Sequence, residues 1–209
     1  MKYFLLHHQY PDELSSLHHQ GPYEWVNGGD VEFTPKLFDY YYSGQPVDLY
    51  NQAVRVELHK SVKRLHVDFF HTMSGAFFAS EGLMILLKSY QNDLQIIPAD
   101  VCYGHGKCKS AEKKYFLIHA DYKLPCFDYQ KSEYAGKAMH LKNLDDGRRP
   151  DSFLVKGVTS VAIDEKIAEN NNYFFLKNVL VLDPIVSEPL ATAMQERKLN
   201  VRLEPLFNA

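Results

Sequence analysis

Two stretches of the chain, residues 80–98 and 187–205, share one pattern of apolar and polar positions and align without a gap. Each begins with a serine, continues with apolar residues at helical spacing, and ends in a short apolar run. Spacing of three and four residues predicts a helix with one buried stripe, and the terminal runs predict strands. An apolar run also precedes each serine. We call these stretches the first and second repeats, and each predicts a strand–helix–strand unit.

The serine at the start of each repeat is an N-cap signal. Its hydroxyl can accept a hydrogen bond from an amide of the first helical turn. Glu81 and Glu188 follow Ser80 and Ser187 and place negative charge at the positive end of each helix. Pro189 lies in the first turn, where its missing N–H costs little. We therefore expect these serines to act in folding, and replacing either by alanine to cost about 1 kcal/mol.

The rest of the chain is dominated by short apolar or alternating runs that predict strands. These runs are residues 3–7, 54–58, 65–70, 76–79, 115–118, 126–129, 153–155, 158–163, 173–176 and 179–182. A short helix is predicted from Thr34 to Ser43, and loops at 99–113 and 142–152. Because strands outnumber helices and often follow one another, we predict an α+β fold. Its sheet is mixed and largely antiparallel, within a single domain spanning residues 1–209.

Composition narrows the possible partners. The 209 residues allow a substantial core, and 45% of them are apolar. The formal net charge of −3 argues against nucleic acid and fits a mildly acidic protein that meets a basic partner. No run approaches the roughly 20 apolar residues of a membrane span. The N-terminal apolar run is too short for a signal peptide, so we expect a cytoplasmic protein without membrane contact.

Aromatic and acidic residues are concentrated in one stretch of the N-terminal third. The chain has 14 Tyr and 13 Phe, and aromatic side chains carry much of the energy of protein interfaces. Acidic groups steer a basic partner. The candidate partner-binding residues are Asp39, Tyr40, Tyr41, Tyr42, Asp48 and Tyr50. The alternative is a helix that packs these aromatic rings inward.

Three cysteines, Cys102, Cys108 and Cys126, form an odd set, so we expect no disulfide framework. His105 lies between the first two, and thiolate and imidazole ligands suit zinc. The alternative is a glycine-rich loop with ordinary free thiols. A small metal-dependent or cysteine hydrolase using the Cys102–Cys108 loop is the alternative function, and we otherwise assign no metal or cofactor.

Two further histidine patterns give no clear site. His7 and His8 are neighbours on a predicted strand, so they point to opposite faces and cannot jointly chelate a metal. Cys126, Asp128 and His119 contain the residue types of a nucleophile arrangement, but no motif surrounds the cysteine. Phosphate-cradling glycine loops and zinc-protease motifs are missing from the sequence. We assign no catalytic residues.

The quoted elements together resemble a known family. Ser80-Glu81-Gly82-Leu83 follows a strand, Tyr115-Phe116-Leu117-Ile118 comes next, and Cys126-Phe127-Asp128 with Ser132 comes after that. With the C-terminal second repeat, residues 65–207 resemble bacterial polymorphic-toxin immunity proteins, whereas residues 1–60 match only loosely. The resemblance implies a cytoplasmic, non-enzymatic protein encoded beside a toxin, often a secretion-system effector. Such a protein binds its cognate toxin stoichiometrically and blocks it.

Overall fold

Short strands and a few helices form an α+β fold in the structure, which is a computed structural model. It describes residues 2–8, 23–27, 54–58, 62, 64–71, 76–90, 94–103, 109–120, 123–150 and 153–206. The strands are β1 (Tyr3–His7), β2 (Tyr23–Asn27), β3 (Val54–Leu58), β4 (Phe69–His71), β5 (Phe77–Ser80), β6 (Leu94–Tyr103), β7 (Lys109–Ser110), β8 (Tyr115–Ala120), β9 (Lys123–Leu124), β10 (Glu133–Tyr134), β11 (Val158–Ser160), β12 (Tyr173–Leu176), β13 (Ile185–Ser187) and β14 (Arg202–Pro205). The helices are α1 (Glu81–Tyr90), α2 (Lys137–Asp145), α3 (Glu165–Ala168) and α4 (Glu188–Glu196).

The strands of the described residues form three sheets. One has the order β14-β1-β13-β12-β9, another the order β2-β3-β6-β8-β5-β4 with β7 paired to β6, and the third contains β10 and β11. Most neighbours are antiparallel, whereas β3 with β6 and β9 with β12 are parallel. The predicted α+β fold with mixed, largely antiparallel sheets is confirmed.

Both repeats fold into the same strand–helix–strand unit. In the first, β5 leads directly into α1 and then β6, and β8 lies between the two strands, antiparallel to both. In the second, β13 leads into α4 and then β14, and β1 lies between the two strands. Each repeat is therefore a split β–α–β motif, in which the helix crosses over an intervening strand.

The two serines cap their helices as expected. Ser80 Oγ accepts a hydrogen bond from the amide of Leu83 at 3.4 Å, and Ser187 Oγ accepts one from the amide of Leu190 at 3.5 Å. Both serines and both leucines are buried. Each cap therefore satisfies an amide that the first turn of the helix leaves without an intrahelical partner.

The chain groups into two compact units, neither of which is continuous in sequence. The first unit contains Met1–Leu6, Tyr122–Thr192 and Leu203–Ala209; the second contains His7–Asp121 and Ala193–Arg202. In the first unit, Tyr3 lies edge-on to Phe174 at 5.8 Å, inside an apolar cluster. The second unit has its own cluster, in which the ring of Phe70 stacks on Phe78 at 5.1 Å. The single domain remains a prediction.

The strand predicted at 65–70 begins only at Phe69. In residues 65–67, which precede this strand, backbone amide and carbonyl groups form hydrogen bonds with side chains rather than with a neighbouring strand. Tyr103 Oη accepts a hydrogen bond from a backbone amide there, and Lys113 and Tyr115 donate to backbone carbonyls. These partners are distant in sequence, which is why the local apolar pattern predicted too long a strand.

A buried carboxylate, that of Asp68, fixes the same segment in the second unit. Its Oδ1 accepts a hydrogen bond from Lys113 Nζ at 2.8 Å, and its Oδ2 accepts one from the amide of Asn200 at 2.6 Å. The backbone of Asp68 also donates to Asn200 O and accepts from the amide of Ser80, each at 2.9 Å. Asp68 therefore joins three parts of the sequence through paired, charge-assisted hydrogen bonds.

The loop predicted at 99–113 is shorter, because β6 continues past Pro98 to Tyr103. Pro98 pairs with Phe116 of β8 on one side, and β3 pairs with β6 only from Ala99 onward. A proline that has a neighbouring strand on one side only is tolerated within a sheet, because its nitrogen, which has no hydrogen to donate, can face the side without a strand.

Several predicted strands in the first unit are isolated bridges. The runs at 126–129, 153–155 and 179–182 contribute only the bridges Phe127↔Ile163 and Val155↔Val179, and the run at 158–163 is a strand only in β11. Most of their apolar side chains lie within or against the apolar cluster of the first unit, which explains the pattern. The loop predicted at 142–152 begins instead within α2. The helix predicted from Thr34 lies outside the described residues.

Across the described residues, the helices are too short and too polar for any of them to span a bilayer.

Candidate functional site: the exposed helix α2 and its aromatic seat

The partner-binding residues predicted from the sequence lie outside the described residues. They are Asp39, Tyr40, Tyr41, Tyr42, Asp48 and Tyr50. The structure does not test whether their side chains form one patch, so their role stays a prediction.

Of the three candidate ligands in the loop predicted as an alternative metal site, only Cys102 lies within the described residues. This cysteine is fully buried in β6 and is disulfide-bonded, which corrects the expectation of a free thiol. Three cysteines cannot form a framework of several disulfides, but two cysteines are enough for a single disulfide bond. A disulfide sulfur is not the thiolate that zinc binds. His105 and Cys108 lie outside the described residues, within which no three His, Cys, Asp or Glu side chains could hold a metal ion.

The paired histidines lie at the end of β1. His7 is its last residue, and His8 follows. The ring of His8 lies 3.7 Å from the ring of His71 of β4, centroid to centroid, with the planes tilted by 38°. Rings in face contact direct their nitrogen lone pairs outward in their own planes, so this contact is a packing interaction rather than a metal-binding pair.

Cys126 is poorly suited to act as a nucleophile. Burial raises the pKa of its thiol to about 12, so little thiolate forms at neutral pH. Asp128 Oδ1 accepts hydrogen bonds from the amides of Gln130 and Lys131, each at 3.0 Å, and so shapes a local turn. His119 is buried in β8. The surroundings of Cys126 therefore do not support the Cys–His–Asp arrangement considered from the sequence.

Helix α2 is attached to the first unit through one buried residue, His140. Beneath it lies a cluster of aromatic rings that we call the aromatic seat. The seat consists of Phe127, Tyr129, Tyr134 and Phe153. The imidazole of His140 stacks on the ring of Phe153 at 4.3 Å and 23° and lies 5.6 Å from the ring of Tyr134 at 28°. The histidine therefore takes the place that an apolar side chain usually has on a packed helix.

The rings of the seat hold one another in edge-to-face contacts. Phe127 meets Tyr129 at 5.1 Å and Tyr134 at 5.5 Å, and Tyr129 meets Phe153 at 5.8 Å. Such pairs contribute about 0.5–1.5 kcal/mol each beyond their burial. Tyr129 also donates its hydroxyl hydrogen to Pro150 O at 3.1 Å, which ties the chain after α2 to the seat. The seat is thus a firm support for the helix.

The N-terminus of α2 lacks a side-chain cap. The N-cap position is Gly136, in the left-handed region at φ 78°, and no side chain there binds the first-turn amides. Lys137 Nζ forms an ion pair with Glu133 Oε1 at 2.7 Å, which links the first turn of the helix to β10. This end of the helix is therefore fixed by a surface ion pair and a glycine turn.

The C-terminus of α2 is a Schellman motif. Gly147 has φ 84°, its amide donates to Leu144 O at 3.0 Å, and the amide of Arg148 donates to Asn143 O at 2.9 Å. Glycine adopts this left-handed conformation without the steric penalty that other residues incur. The helix therefore ends at a defined point.

Two buried polar atoms beneath α2 have no hydrogen-bond partner within the described part of the protein. They are the hydroxyl of Tyr134 and Nδ1 of His140, in residues that are 7% and 8% exposed. Burial raises the pKa of Tyr134, and the charge of Glu133 raises it further, so the phenol stays neutral. Leaving such a group unpaired costs about 1–3 kcal/mol.

The outer side of α2 and the turn that follows it form what we call the α2 surface. Its residues are Lys137, Met139, Lys142, Asp145, Asp146, Arg148 and Arg149. Met139 is 61% exposed, and Leu182 and Ile85 elsewhere in the described residues are exposed to a similar degree. It contains four cationic and two acidic side chains, and one of the cations, Lys137, is paired with the exposed carboxylate of Glu133, so most of the positive charge is balanced locally. These groups suit contact with another molecule rather than catalysis.

Sequence reasoning missed the α2 surface. The helix lacks a Ser, Thr, Asp or Asn cap and an apolar stripe, which are the two signals used to find helices. One signal was present: Asp146-Gly147 marks a helix C-terminus as well as a charged turn. In the sequence alone this pair indicates a charged turn equally well.

The family comparison defines the class of protein. Residues 7–202 match the sequence model of an immunity protein family, and this match covers most of the chain. The family is Imm11, and the chain belongs to it. The resemblance to immunity proteins is thus confirmed, and the match extends it into the N-terminal third, where the sequence motifs agreed only loosely. No curated protein matches the chain.

Proposed function

We propose that this protein is a non-catalytic inhibitor that binds one cognate bacterial toxin and blocks it in the cytoplasm. The observation that carries the proposal is the Imm11 match over residues 7–202. The high pKa of the buried Cys126 thiol also favours binding over thiol chemistry. Neutralisation by binding consumes one protein molecule for each toxin molecule, whereas an enzyme would act repeatedly.

That difference gives the test. The purified protein is added in steps to the toxic domain encoded beside it, and the remaining toxin activity is measured after short and long incubation. We expect activity to fall linearly and to vanish near one equivalent, with no dependence on incubation time. A 1:1 complex should elute from a sizing column. Complete inactivation by a few hundredths of an equivalent, increasing with time, would show catalysis and overturn the proposal.

The predicted patch of the N-terminal third can be tested in the same assay. Replacing Tyr41 and Tyr42 by alanine should weaken toxin binding without unfolding the protein, because aromatic anchors carry much of the energy of an interface. Affinity equal to that of the unaltered protein would remove this patch from the interface and leave the proposed function standing.

A further inference from the structure

We propose that the disulfide bond of Cys102 is a redox-sensitive switch, which a dithiol reductant opens and a cyclic disulfide closes again. Opening the bond releases strand β7 from β6 and, through Tyr103, loosens the segment that precedes β4. This inference goes beyond the proposed function and does not depend on it, because it concerns the protein before any partner binds.

The disulfide links two neighbouring strands. Cys102 lies near the end of β6 and is disulfide-bonded. Cys126 is free, so by elimination the second sulfur belongs to Cys108, the one remaining cysteine of the sequence. In sequence that residue directly precedes β7, which pairs antiparallel with β6 and places Ser110 opposite Cys102. The bond therefore connects β6 to the start of β7.

Strand β7 is a weak element that this connection stabilises. It consists of two exposed residues, Lys109 and Ser110, and β6 is its one partner among the described strands. Just after it, the amide of Ala111 donates to Val101 O at 2.8 Å. A pairing this short is marginal in water. A disulfide stabilises it by restricting the chain when the pairing opens, so reduction should release β7 first.

Tyr103 carries the effect to the segment ahead of β4. It follows Cys102 in β6 and lies opposite Lys109 of β7. Its hydroxyl accepts a hydrogen bond from the amide of Leu65 at 2.7 Å and donates one to Glu112 Oε2 at 2.6 Å. Glu112 comes two residues after β7, so release of β7 draws this carboxylate away from the hydroxyl. The hydrogen bond that orders Leu65 then loses its support.

Arg55 of β3 makes Cys102 the better leaving sulfur. Its Nη2 lies 3.9 Å from Cys102 Sγ. A guanidinium stabilises a thiolate more than a neutral disulfide sulfur, so this contact strengthens as the S–S bond breaks and favours reduction. Cys102 is fully buried, so a reductant attacks the other sulfur. The charge therefore stands where the leaving electron pair arrives.

Two acidic residues oppose this effect. Asp100 Oδ2 lies 3.9 Å from Arg55 Nε, and Glu57 occupies the register position opposite Cys102. The side chain of Asp100 is 58% exposed, so water screens its charge more than it screens the part-buried contact of the guanidinium with the sulfur. We therefore expect Arg55 to dominate, and removal of either carboxylate to favour reduction further.

A dithiol opens the bond in two exchange steps. In the first, its thiolate attacks the sulfur of Cys108, the S–S bond breaks, and Cys102 leaves with the electron pair as a thiolate beside Arg55. In the second, the other thiolate of the reductant attacks the reductant's own sulfur in the mixed disulfide and releases Cys108. The protein gains two electrons and two protons, and the dithiol becomes a cyclic disulfide. The same steps in reverse close the bond.

Counting thiols, with dithiothreitol as the reductant, tests this chemistry. Unaltered protein that is denatured and alkylated without reductant should show one thiol by mass spectrometry, that of Cys126, and three after reduction. Arg55→Gln should be reduced at least about threefold more slowly. Arg202→Gln, on the exposed part of β14, is the matched control and should be reduced as fast as the unaltered protein. Asp100→Asn and Glu57→Gln should be reduced faster.

Amide hydrogen exchange of the oxidised and reduced unaltered protein tests the switch without any variant that could fail to fold. Reduction should accelerate exchange at the amides of Ala111 and Leu65 by at least about tenfold. Reoxidation with the cyclic disulfide of dithiothreitol should restore the slow exchange. The amide of Asp164, which donates to Cys126 O at 2.7 Å in the first unit, should exchange equally in both forms.

Each step has a result that overturns it. Three thiols in the protein before reduction would show that the bond does not form. Equal reduction rates of Arg55→Gln and Arg202→Gln would refute the role of the guanidinium. Unchanged exchange at Ala111 and Leu65, or equal acceleration at Asp164, would show a static crosslink or a general loss of stability and overturn the switch. None of these measurements involves the toxin, so the proposed function stands or falls separately.

Discussion

Replacing Asp68 by asparagine should lower the free energy of unfolding by about 2–4 kcal/mol. Both carboxylate oxygens accept hydrogen bonds, one from Lys113 Nζ at 2.8 Å and one from the amide of Asn200 at 2.6 Å. An asparagine has one acceptor oxygen, so its NH2 group must face one of these donors. Hydrogen bonds to charged groups contribute about 1.5–3 kcal/mol, and a buried unpaired donor costs about 1–3 kcal/mol. The lost negative charge also leaves the ammonium of Lys113 without its counter-ion.

Urea denaturation followed by circular dichroism measures this loss. Asp100→Asn is the matched control, because Asp100 is 58% exposed and lies 3.9 Å from Arg55 Nε, so it should change stability by less than about 1 kcal/mol. A double-mutant cycle with Lys113→Met should give a coupling energy of about 1–3 kcal/mol. Amide exchange at residues 64–71 should accelerate in Asp68→Asn. If Asp68→Asn and Asp100→Asn were equally stable, the central role given to this carboxylate would be wrong.

Two other predictions concern single side chains. Ser187→Ala should cost about 1–2 kcal/mol and Ser80→Ala about 1 kcal/mol in urea denaturation, because Ser187 Oγ also donates to Asn172 Oδ1 at 2.6 Å; the reverse order would contradict this. Burial lowers the pKa of Lys123 from 10.5 to about 8. Between those pH values the unfolded chain keeps a proton that the folded protein has lost, so this residue's contribution to stability rises with pH there. Lys123→Met should therefore be more stable than the unaltered protein by about 1 kcal/mol at pH 7, an advantage that shrinks by pH 10. A constant difference across that range would refute it.

The sequence predicted those parts of the fold whose signals are local. In each repeat, the serine cap, the acidic first turn and the apolar stripe fall within a few residues of one another, and the structure has strand, helix and strand where they indicate. Ser80 and Ser187 bind amides three residues ahead. Such short-range chemistry can be interpreted without knowing the rest of the chain.

The features that the sequence did not predict depend on partners far away or on missing signals. The strand expected from residue 65 is shortened by Tyr103, Lys113 and Tyr115, none of which is near it in sequence. Helix α2 has a glycine at its N-cap and buries a histidine, so neither its N-terminus nor its buried face gave the expected pattern. The α2 surface could not be predicted from the sequence either, because it lies on the helix that these local signals do not reveal.

The discontinuous make-up of both units has a consequence for biosynthesis. Strand β1 leaves the ribosome first, yet the hydroxyl of Tyr3 binds the carbonyl of Ala168, 165 residues later. The carboxylate of Asp68 can bind the amide of Asn200 only after a further 132 residues have been synthesised. At about 5–20 residues per second these intervals are on the order of 10 s, during which β1 lacks both of its neighbouring strands, β13 and β14. Neither unit is complete until the second repeat has been synthesised, because each contains part of that repeat.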